Sequence, residues 1–217
     1  MKVFRDLKLT GQPETLQEVI QKIEKILDNG WYKDTQAEAE LNSRQVYDLT
    51  MYCFSCSETE ARRASSLWFG DPQYGKLSVS NIVPQKVSEL SYDEYNHILE
   101  EFFNRFVVPA LKGMEEVIID WTDPEFDLEE SASPEGAFFL LKFSEAANKS
   151  TAASHPMDEE RWYAFLVAAH KNNAALDSSN LVRWLREEGG WSEDIAFKLA
   201  AQYESARSLL NYYDRSK

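Results

Sequence analysis

The first half of the chain alternates between helix-like and strand-like spacing of its apolar residues. Lys2 to Leu9 alternates weakly, which is typical of a strand with one buried face. Pro13 is a favourable first helical residue, and apolar residues then recur every three or four positions up to the turn at Asn29-Gly30. This spacing predicts an amphipathic helix with an apolar stripe of Leu16, Val19, Ile20, Ile23, Ile26 and Leu27.

Three later segments predict the strands of a small sheet. Val46 to Cys56 is apolar on both alternating faces, as expected of a central strand. Ser65 to Phe69 and Lys76 to Val83 are short strand-like runs separated by turn residues, a pattern that predicts a hairpin. We therefore expect a largely antiparallel sheet.

A capping motif marks the next helix. In Ser91-Tyr92-Asp93-Glu94, the serine oxygen can accept a hydrogen bond from the third helical N–H while the glutamate reaches back to the serine N–H. We expect the apolar face of this helix to cover the sheet and Pro109 to end or kink the helix. That face contains Tyr95, Ile98, Leu99, Phe102, Phe103, Phe106 and Val107.

The second half carries start signals for helices only, namely Ser or Asp caps, prolines at the first helical position and acidic first turns. These signals predict helices from Pro134 to about Ala147, from Pro156 to about Lys171, from Asp177 or Ser178 to Glu188, and from Ser192 to about Tyr212. Four consecutive helices favour a small bundle.

The whole pattern predicts an α+β fold, in which a small, mostly antiparallel sheet with covering helices precedes a C-terminal helical bundle. Residues 1–113 would form the α+β unit, 114–133 an acidic connector, and 134–217 a helical unit. The helices that begin near Ser91 and Pro134 have apolar faces wider than one neighbour can cover. We therefore expect the two units to be packed together.

Composition restricts the classes of partner. The 217 residues include 23 Lys+Arg and 37 Asp+Glu, for a net charge of −14, which opposes binding to nucleic acid or to anionic lipid. No apolar run approaches the ~20 residues of a membrane span, and the N-terminal sequence has no signal-peptide core. We expect a soluble cytoplasmic protein.

Residues 115–135 are the strongest anomaly in composition, with nine Asp or Glu residues and no Lys or Arg. Apolar Trp121, Phe126 and Leu128 lie among the carboxylates, a combination that suits a surface for a basic protein partner. A solvated connector without further function is the alternative interpretation. The predicted partner-binding residues are Asp120, Trp121, Asp123, Glu125, Phe126, Asp127, Glu129 and Glu130.

The same segment does not predict a metal site. Asp123, Glu125, Asp127 and Glu129 alternate like the first ligands of a calcium loop, but Leu128 and Pro134 stand where such a loop needs Gly and Glu. A nuclease-like carboxylate site would normally add a lysine, and none is present locally. We predict neither a metal nor any other cofactor.

The two cysteines form a Cys-x-x-Cys motif at Cys53 and Cys56. Zinc needs four ligands, and the chain has no further cysteine. Positions three apart on a strand point to opposite faces, so the thiols should neither pair nor share a metal. We interpret both as buried structural residues.

A phosphate-loop pattern occurs at Gly70 to Lys76, but Leu77 follows where Ser or Thr would hold Mg²⁺. The loop continues into a predicted strand, whereas phosphate binding uses a helix N-terminus. A hairpin turn explains the motif.

The histidines give no catalytic assignment. His155 and His170 bracket one predicted helix, which places them roughly 22 Å apart at ~1.5 Å per residue. Ser154, His155 and Asp158 lie together at a helix start, where capping accounts for them.

Two functions follow as hypotheses. The first is a non-enzymatic protein-binding module, with an inhibitor, antitoxin-like or immunity-type role, that engages a basic partner through residues 115–135. The second is a hydrolase with a carboxylate-lined cleft between the two units, either metal-assisted or acting on sugars, where a raised Asp or Glu pKa would be expected. Whether the chain is an enzyme, and its oligomeric state, are left open by the sequence.

Overall fold

The computed structural model describes residues 1–28, 30–44, 50–70, 72–152 and 155–217. The chain divides into two compact units, one of residues 2–124 and one of Met1 with residues 125–217. The first unit combines a sheet with helices and the second is helical, so the predicted α+β fold is confirmed. Among the described residues, no helix is both long and apolar enough to cross a membrane.

The described part of the first unit contains a six-stranded sheet. Its strands are β1 (Leu7–Thr10), β2 (Trp31–Lys33), β3 (Tyr52–Cys56), β4 (Ser65–Phe69), β5 (Lys76–Pro84) and β6 (Ile118–Trp121). The order across the sheet is β2-β3-β4-β5-β1-β6, and all neighbouring pairs are antiparallel. The predicted hairpin is β4 and β5, and β6 forms one edge of the sheet.

The helices of the first unit are α1 (Pro13–Ile26), α2 (Thr35–Arg44), α3 (Tyr92–Phe102) and the short α4 (Val108–Ala110). Neither β2 nor α2 was predicted. The strand β2 has only three residues, and α2 has no buried residues and lacks an apolar stripe. Residues 46–49 of the predicted central strand lie outside the described residues.

The expected end or kink at Pro109 takes the form of a wider helical turn. Residues Phe103–Val107 form a π-helical turn between α3 and α4, and the Val108 N–H donates to the Phe103 carbonyl five residues back. Proline has no N–H to donate, and its ring would clash with the carbonyl four residues earlier. The wider turn accommodates Pro109, and the helical path continues to Ala110.

The core of the first unit lies between the sheet and helices α1 and α3. The α1 stripe buries Leu16, Val19, Ile20 and Ile23, whereas Ile26 at the end of the helix is exposed. The predicted capping box is confirmed, with Ser91 Oγ accepting from the Glu94 N–H at 3.3 Å and Glu94 Oε2 accepting from the Ser91 N–H at 2.9 Å.

Phe102 of α3 is the centre of the aromatic packing in this core. Its ring centroid lies 4.9 Å from that of Trp31, 5.2 Å from that of Phe54 and 5.9 Å from that of Phe69. These three residues belong to β2, β3 and β4, so the apolar face of α3 covers the sheet as predicted.

The second unit contains α5 (Leu128–Ala132), α6 (Pro134–Ala146), α7 (Pro156–Lys171), α8 (Ser178–Glu187) and α9 (Glu193–Arg215). The four predicted helices are confirmed as α6 to α9, and the five-residue α5 was not predicted. The core of this unit is also aromatic, with Trp162 lying 5.0 Å from Phe143 and 5.1 Å from Phe165 between ring centroids.

The division between the units falls inside the predicted connector, between Pro124 and Glu125. The connector also contains the strand β6, Ile118–Trp121. The close packing of the two units on each other stays a prediction.

Candidate partner-binding surface

The first part of the acidic segment surrounds the edge strand β6. Asp120 pairs with Lys8 across the sheet, with 4.0 Å between Oδ2 and Nζ, and keeps 63% of its side chain exposed. Glu115 and Glu116 lie in the turn before β6, and Asp123 lies just after the strand. These three are exposed, and no described side chain forms an ion pair or hydrogen bond with them. We call these four residues the strand-side acidic group.

Trp121 is engaged within the first unit. Its indole stacks on Phe103, with 4.4 Å between ring centroids and 13° between planes. The guanidinium carbon of Arg5 lies 4.0 Å from the indole centroid. The half-buried ring therefore attaches β6 to the π-helical turn that follows α3.

The rest of the segment belongs to the helical unit. Phe126 is half-buried against the core of this unit, and its N–H donates to the Met1 carbonyl at 2.8 Å. Asp127 is the N-cap of α5, since its Oδ1 accepts from the N–H groups of Glu129 at 2.7 Å and Glu130 at 3.2 Å. Phe126 and Asp127 thus have structural roles that explain their residue types.

Three carboxylates of the helical unit, those of Glu125, Glu129 and Glu130, are exposed. No described side chain pairs with them. We call them the helix-side acidic group. One continuous stretch of sequence therefore supplies a separate group of exposed carboxylates to each unit, which sequence spacing could not reveal.

Sequence reasoning missed a polar cluster between α2 and β3. Lys33 Nζ lies 2.5 Å from Glu24 Oε1 and 3.7 Å from Glu38 Oε2. The Cys53 N–H donates to Glu38 Oε1 at 2.8 Å, and the Ser55 hydroxyl donates to the Asp34 carboxylate at 3.3 Å. These bonds attach α2 to β3. No local sequence pattern signals such a cluster, because its members come from α1, β2, α2, β3 and the residue between β2 and α2.

Burial and the contacts within this cluster shift the pKa values of Glu38 and Lys33. It raises the pKa of the Glu38 carboxyl above its usual value, even though the Cys53 N–H and Lys33 favour the charged form. Burial alone would lower the pKa of Lys33, but the hydrogen bond to Glu24 and the charge of Glu38 outweigh it, so that this pKa is raised. Both shifts are explained by contacts within the first unit.

Cys53 and Cys56 are buried and unpaired with each other, as predicted. Cys56 belongs to the hydrophobic core, while Cys53 lies on the other side of β3, with its Sγ 3.8 Å from Ser55 Oγ. Burial raises the pKa of the Cys53 thiol to about 11 and also raises that of Cys56. Within the described residues, no group of three or more His, Cys, Asp or Glu side chains is arranged to hold a metal ion.

The phosphate-loop pattern is a hairpin loop between β4 and β5. Pro72–Tyr74 form a 3-10 turn, and the next element is the strand β5, in which Leu77 is fully buried. Gly75 has a φ of +70°, a conformation that favours glycine. Asp71 lies outside the described residues.

The two histidines that bracket α7 have different partners. His155 caps the helix, because its Nδ1 accepts from the Met157 N–H at 3.3 Å. His170 Nε2 lies 2.7 Å from Asp214 Oδ2 and connects the end of α7 to α9. The hydrogen bond to His170 and the neighbouring Lys217 hold the pKa of Asp214 below its usual value. Ser154 lies outside the described residues.

Comparison with known proteins gives one match. Residues 140–212 are similar to a family described as a domain of unknown function, DUF1889. The matched residues run from α6 into α9 and lie entirely in the helical unit. No curated protein and no solved structure matches the chain. The sheet and the acidic segment lie outside the matched region.

Proposed function

We propose that this protein is a cytoplasmic protein-binding module that engages a basic partner through the exposed carboxylates of residues 115–135. One observation carries the proposal: six of the nine acidic side chains in this segment are exposed and have no ion-pair or hydrogen-bond partner among the described side chains. They are Glu115, Glu116, Asp123, Glu125, Glu129 and Glu130.

Exposed carboxylates that have no ion-pair partner among the described side chains attract a positively charged surface over several ångströms. Such attraction accelerates encounter with a basic protein and weakens as salt screens the charges, over a Debye length of about 8 Å at physiological ionic strength. An inhibitor, antitoxin-like or immunity-type protein would use this kind of surface. Asp120 belongs to the strand-side acidic group, although Lys8 neutralises part of its charge.

The remaining predicted residues support this surface from within the fold. Trp121 holds β6 against the first unit, Phe126 packs on the core of the helical unit, and Asp127 caps α5. In the proposal these three position the carboxylates, and Glu125, Glu129, Glu130 and Asp123 face the partner.

Three matched variants test the proposal and locate the surface. The first replaces Glu115, Glu116 and Asp123 by Gln, Gln and Asn, and the second replaces Glu125, Glu129 and Glu130 by Gln. The control replaces three exposed acids outside the segment, Glu60, Glu89 and Glu160, by Gln. All three variants therefore change the net charge equally.

Each variant and the unaltered protein are immobilised and exposed to native lysate at low and high salt, and captured proteins are identified by mass spectrometry. We expect a basic protein that is released by salt, captured by the control and lost from at least one segment variant. Its association rate should fall more than its dissociation rate rises. Equal capture by all variants at every salt concentration would refute the proposal.

A further inference from the structure

The outer edge of β6 carries backbone groups that are not used by the sheet. The Thr122 N–H donates to the Asp6 carbonyl at 3.2 Å, which continues the ladder between β1 and β6. Because an antiparallel ladder alternates, the backbone of Asp120 and Ile118 also faces β1. Ile119 and Trp121 therefore direct their N–H and C=O groups away from the sheet. No strand within the described ranges pairs beyond β6.

Two apolar side chains of this edge are also exposed. Ile118 is 68% exposed and Ile119 44% exposed, although proteins usually protect an edge strand with charges, proline or a covering element. Ile118 and Asp120 share one face of β6, and Ile119 and Trp121 share the other. An added strand would thus meet one apolar residue and one carboxylate on the first face.

We propose that β6 accepts an extended basic segment of a partner protein as an additional antiparallel strand. This inference rests on the proposed function and assigns a mode of recognition to it. The charges around β6 favour a basic segment. Acidic residues lie before the strand, within it and after it, and residues 115–135 contain no Lys or Arg. These acidic residues are Glu115, Glu116, Asp120 and Asp123. An extended segment with Lys or Arg at alternate positions would place its cations on the Asp120 face.

In this geometry the backbone contributes affinity and the side chains contribute specificity. The backbone groups of Ile119 and Trp121 would pair with alternate residues of the bound segment and contribute affinity. The residue opposite Asp120 would not share backbone hydrogen bonds with it, so its side chain approaches closely and selects for Lys or Arg. Apolar residues of the segment would take the positions opposite Ile119 and Trp121.

A proline substitution separates strand addition from charge attraction. Ile119→Pro removes an N–H that points away from β1, so the pairing of β1 with β6 has no hydrogen bond to lose. Ile119→Ala is the matched control, since it removes the same side chain and keeps the N–H. The probe is a fluorescein-labelled nine-residue peptide with alternating Val and Lys, measured by fluorescence anisotropy at low salt.

We expect Ile119→Ala to bind the peptide as the unaltered protein does within about threefold, and Ile119→Pro to lose about tenfold or more in affinity, equivalent to about 1.4 kcal/mol. A helical Ala/Lys peptide of equal charge should bind more weakly than the Val/Lys peptide. Equal binding of Ile119→Pro and Ile119→Ala would overturn strand addition.

A second measurement uses the unaltered protein and so does not depend on the folding of Ile119→Pro. Methylation of the backbone amides at the Val positions should abolish binding, because these amides face β6, whereas methylation at the Lys positions should leave it nearly unchanged. Equal effects of the two methylation patterns would overturn strand addition.

The failures of the two proposals are distinguishable. One possible result is that the Glu115, Glu116 and Asp123 variant loses peptide binding while Ile119→Pro and Ile119→Ala bind equally. This result would support the acidic surface and refute strand addition. Binding of the peptide that is insensitive to that charge variant and to salt would refute the charge-based function itself.

Discussion

The indole of Trp121 and the phenyl ring of Phe103 are stacked, with 4.4 Å between their centroids and 13° between their planes. Trp121 ends the edge strand β6, and Phe103 begins the π-helical turn that accommodates Pro109. The contact therefore joins the strand around which the exposed carboxylates lie to the helix that covers the sheet. The contact therefore stabilises the strand at which we propose that a partner binds.

Trp121→Ala should therefore lower the free energy of unfolding of the protein. Removing a half-buried indole with one stacked aromatic neighbour and one guanidinium neighbour should cost about 2 kcal/mol. Urea unfolding monitored by circular dichroism measures the change. Asp123→Ala, an exposed change two residues away, should alter stability by less than about 0.5 kcal/mol. Equal stability of the two variants would contradict the anchoring role.

Glu101→Gln should be more destabilising than its position near the surface suggests. Its carboxylate accepts from Arg62 at 2.6 Å and from Arg105 at 2.6 Å, and the Arg62 side chain is only 3% exposed. The substitution removes the negative charge that Glu101 places against the buried guanidinium, which should cost roughly 3–5 kcal/mol. As a control, Glu58→Gln removes the exposed ion pair with Lys86 and should leave the unfolding midpoint nearly unchanged.

The same residue should contribute to the acid sensitivity of folding. Burial alone would raise the pKa of Glu101, but the hydrogen bonds from Arg62 and Arg105 outweigh it and hold this pKa below the usual 4.5. A carboxyl whose pKa is lower in the folded state stabilises the fold above its unfolded pKa and loses that contribution as pH falls through its folded pKa. The stability difference between the unaltered protein and Glu101→Gln should therefore narrow below pH 4.5. A constant difference across urea titrations at successive pH values would contradict this.

Cys53 and Cys56 should be chemically inert in the folded protein. Both are buried, and with a thiol pKa of about 11 Cys53 has almost no thiolate at neutral pH. We expect a thiol reagent to label neither residue until the chain is unfolded, and the purified protein to contain no stoichiometric zinc. The Cys53→Ser, Cys56→Ser variant should lose only about 1–3 kcal/mol of stability, from burial of two hydroxyls. Rapid labelling of the native protein or one bound zinc per chain would disprove the structural assignment.

The two glycines that follow α8 should respond differently to alanine. A Cβ at Gly189 would lie 2.7 Å from the Leu185 carbonyl oxygen and 2.7 Å from Trp191 Cδ1, whereas a Cβ at Gly190 would meet open space. Trp191 cannot move freely, since its ring stacks on Phe143 with 5.3 Å between centroids. Gly189→Ala should therefore cost about 1–3 kcal/mol.

Gly190→Ala is the matched control for that substitution. Its φ of +67° is unfavourable for alanine, and the expected loss is about 1 kcal/mol. Urea midpoints of both variants measure the difference. A larger loss of stability in Gly190→Ala than in Gly189→Ala would show that backbone conformation, and not steric contact, creates the need for glycine at this helix end.

The elements that were predicted correctly are those whose sequence signals are local. The capping box of Ser91 and Glu94, the first-turn prolines of α6 and α7, and the hairpin of β4 and β5 were all predicted because each depends on residues within a few positions of one another. The concentration of carboxylates in residues 115–135 is likewise a property of the sequence alone.

The contacts between elements that are distant in the sequence could be seen only in the folded chain. Asp120 pairs with Lys8 across more than a hundred residues, and Arg62 reaches Glu101 from 39 residues away. Apolar periodicity states which face of an element is buried, but it contains no information about the partner of that face. For this reason the tertiary structure alone divided the acidic segment between two units, made β6 an exposed edge and placed Trp121 against Phe103.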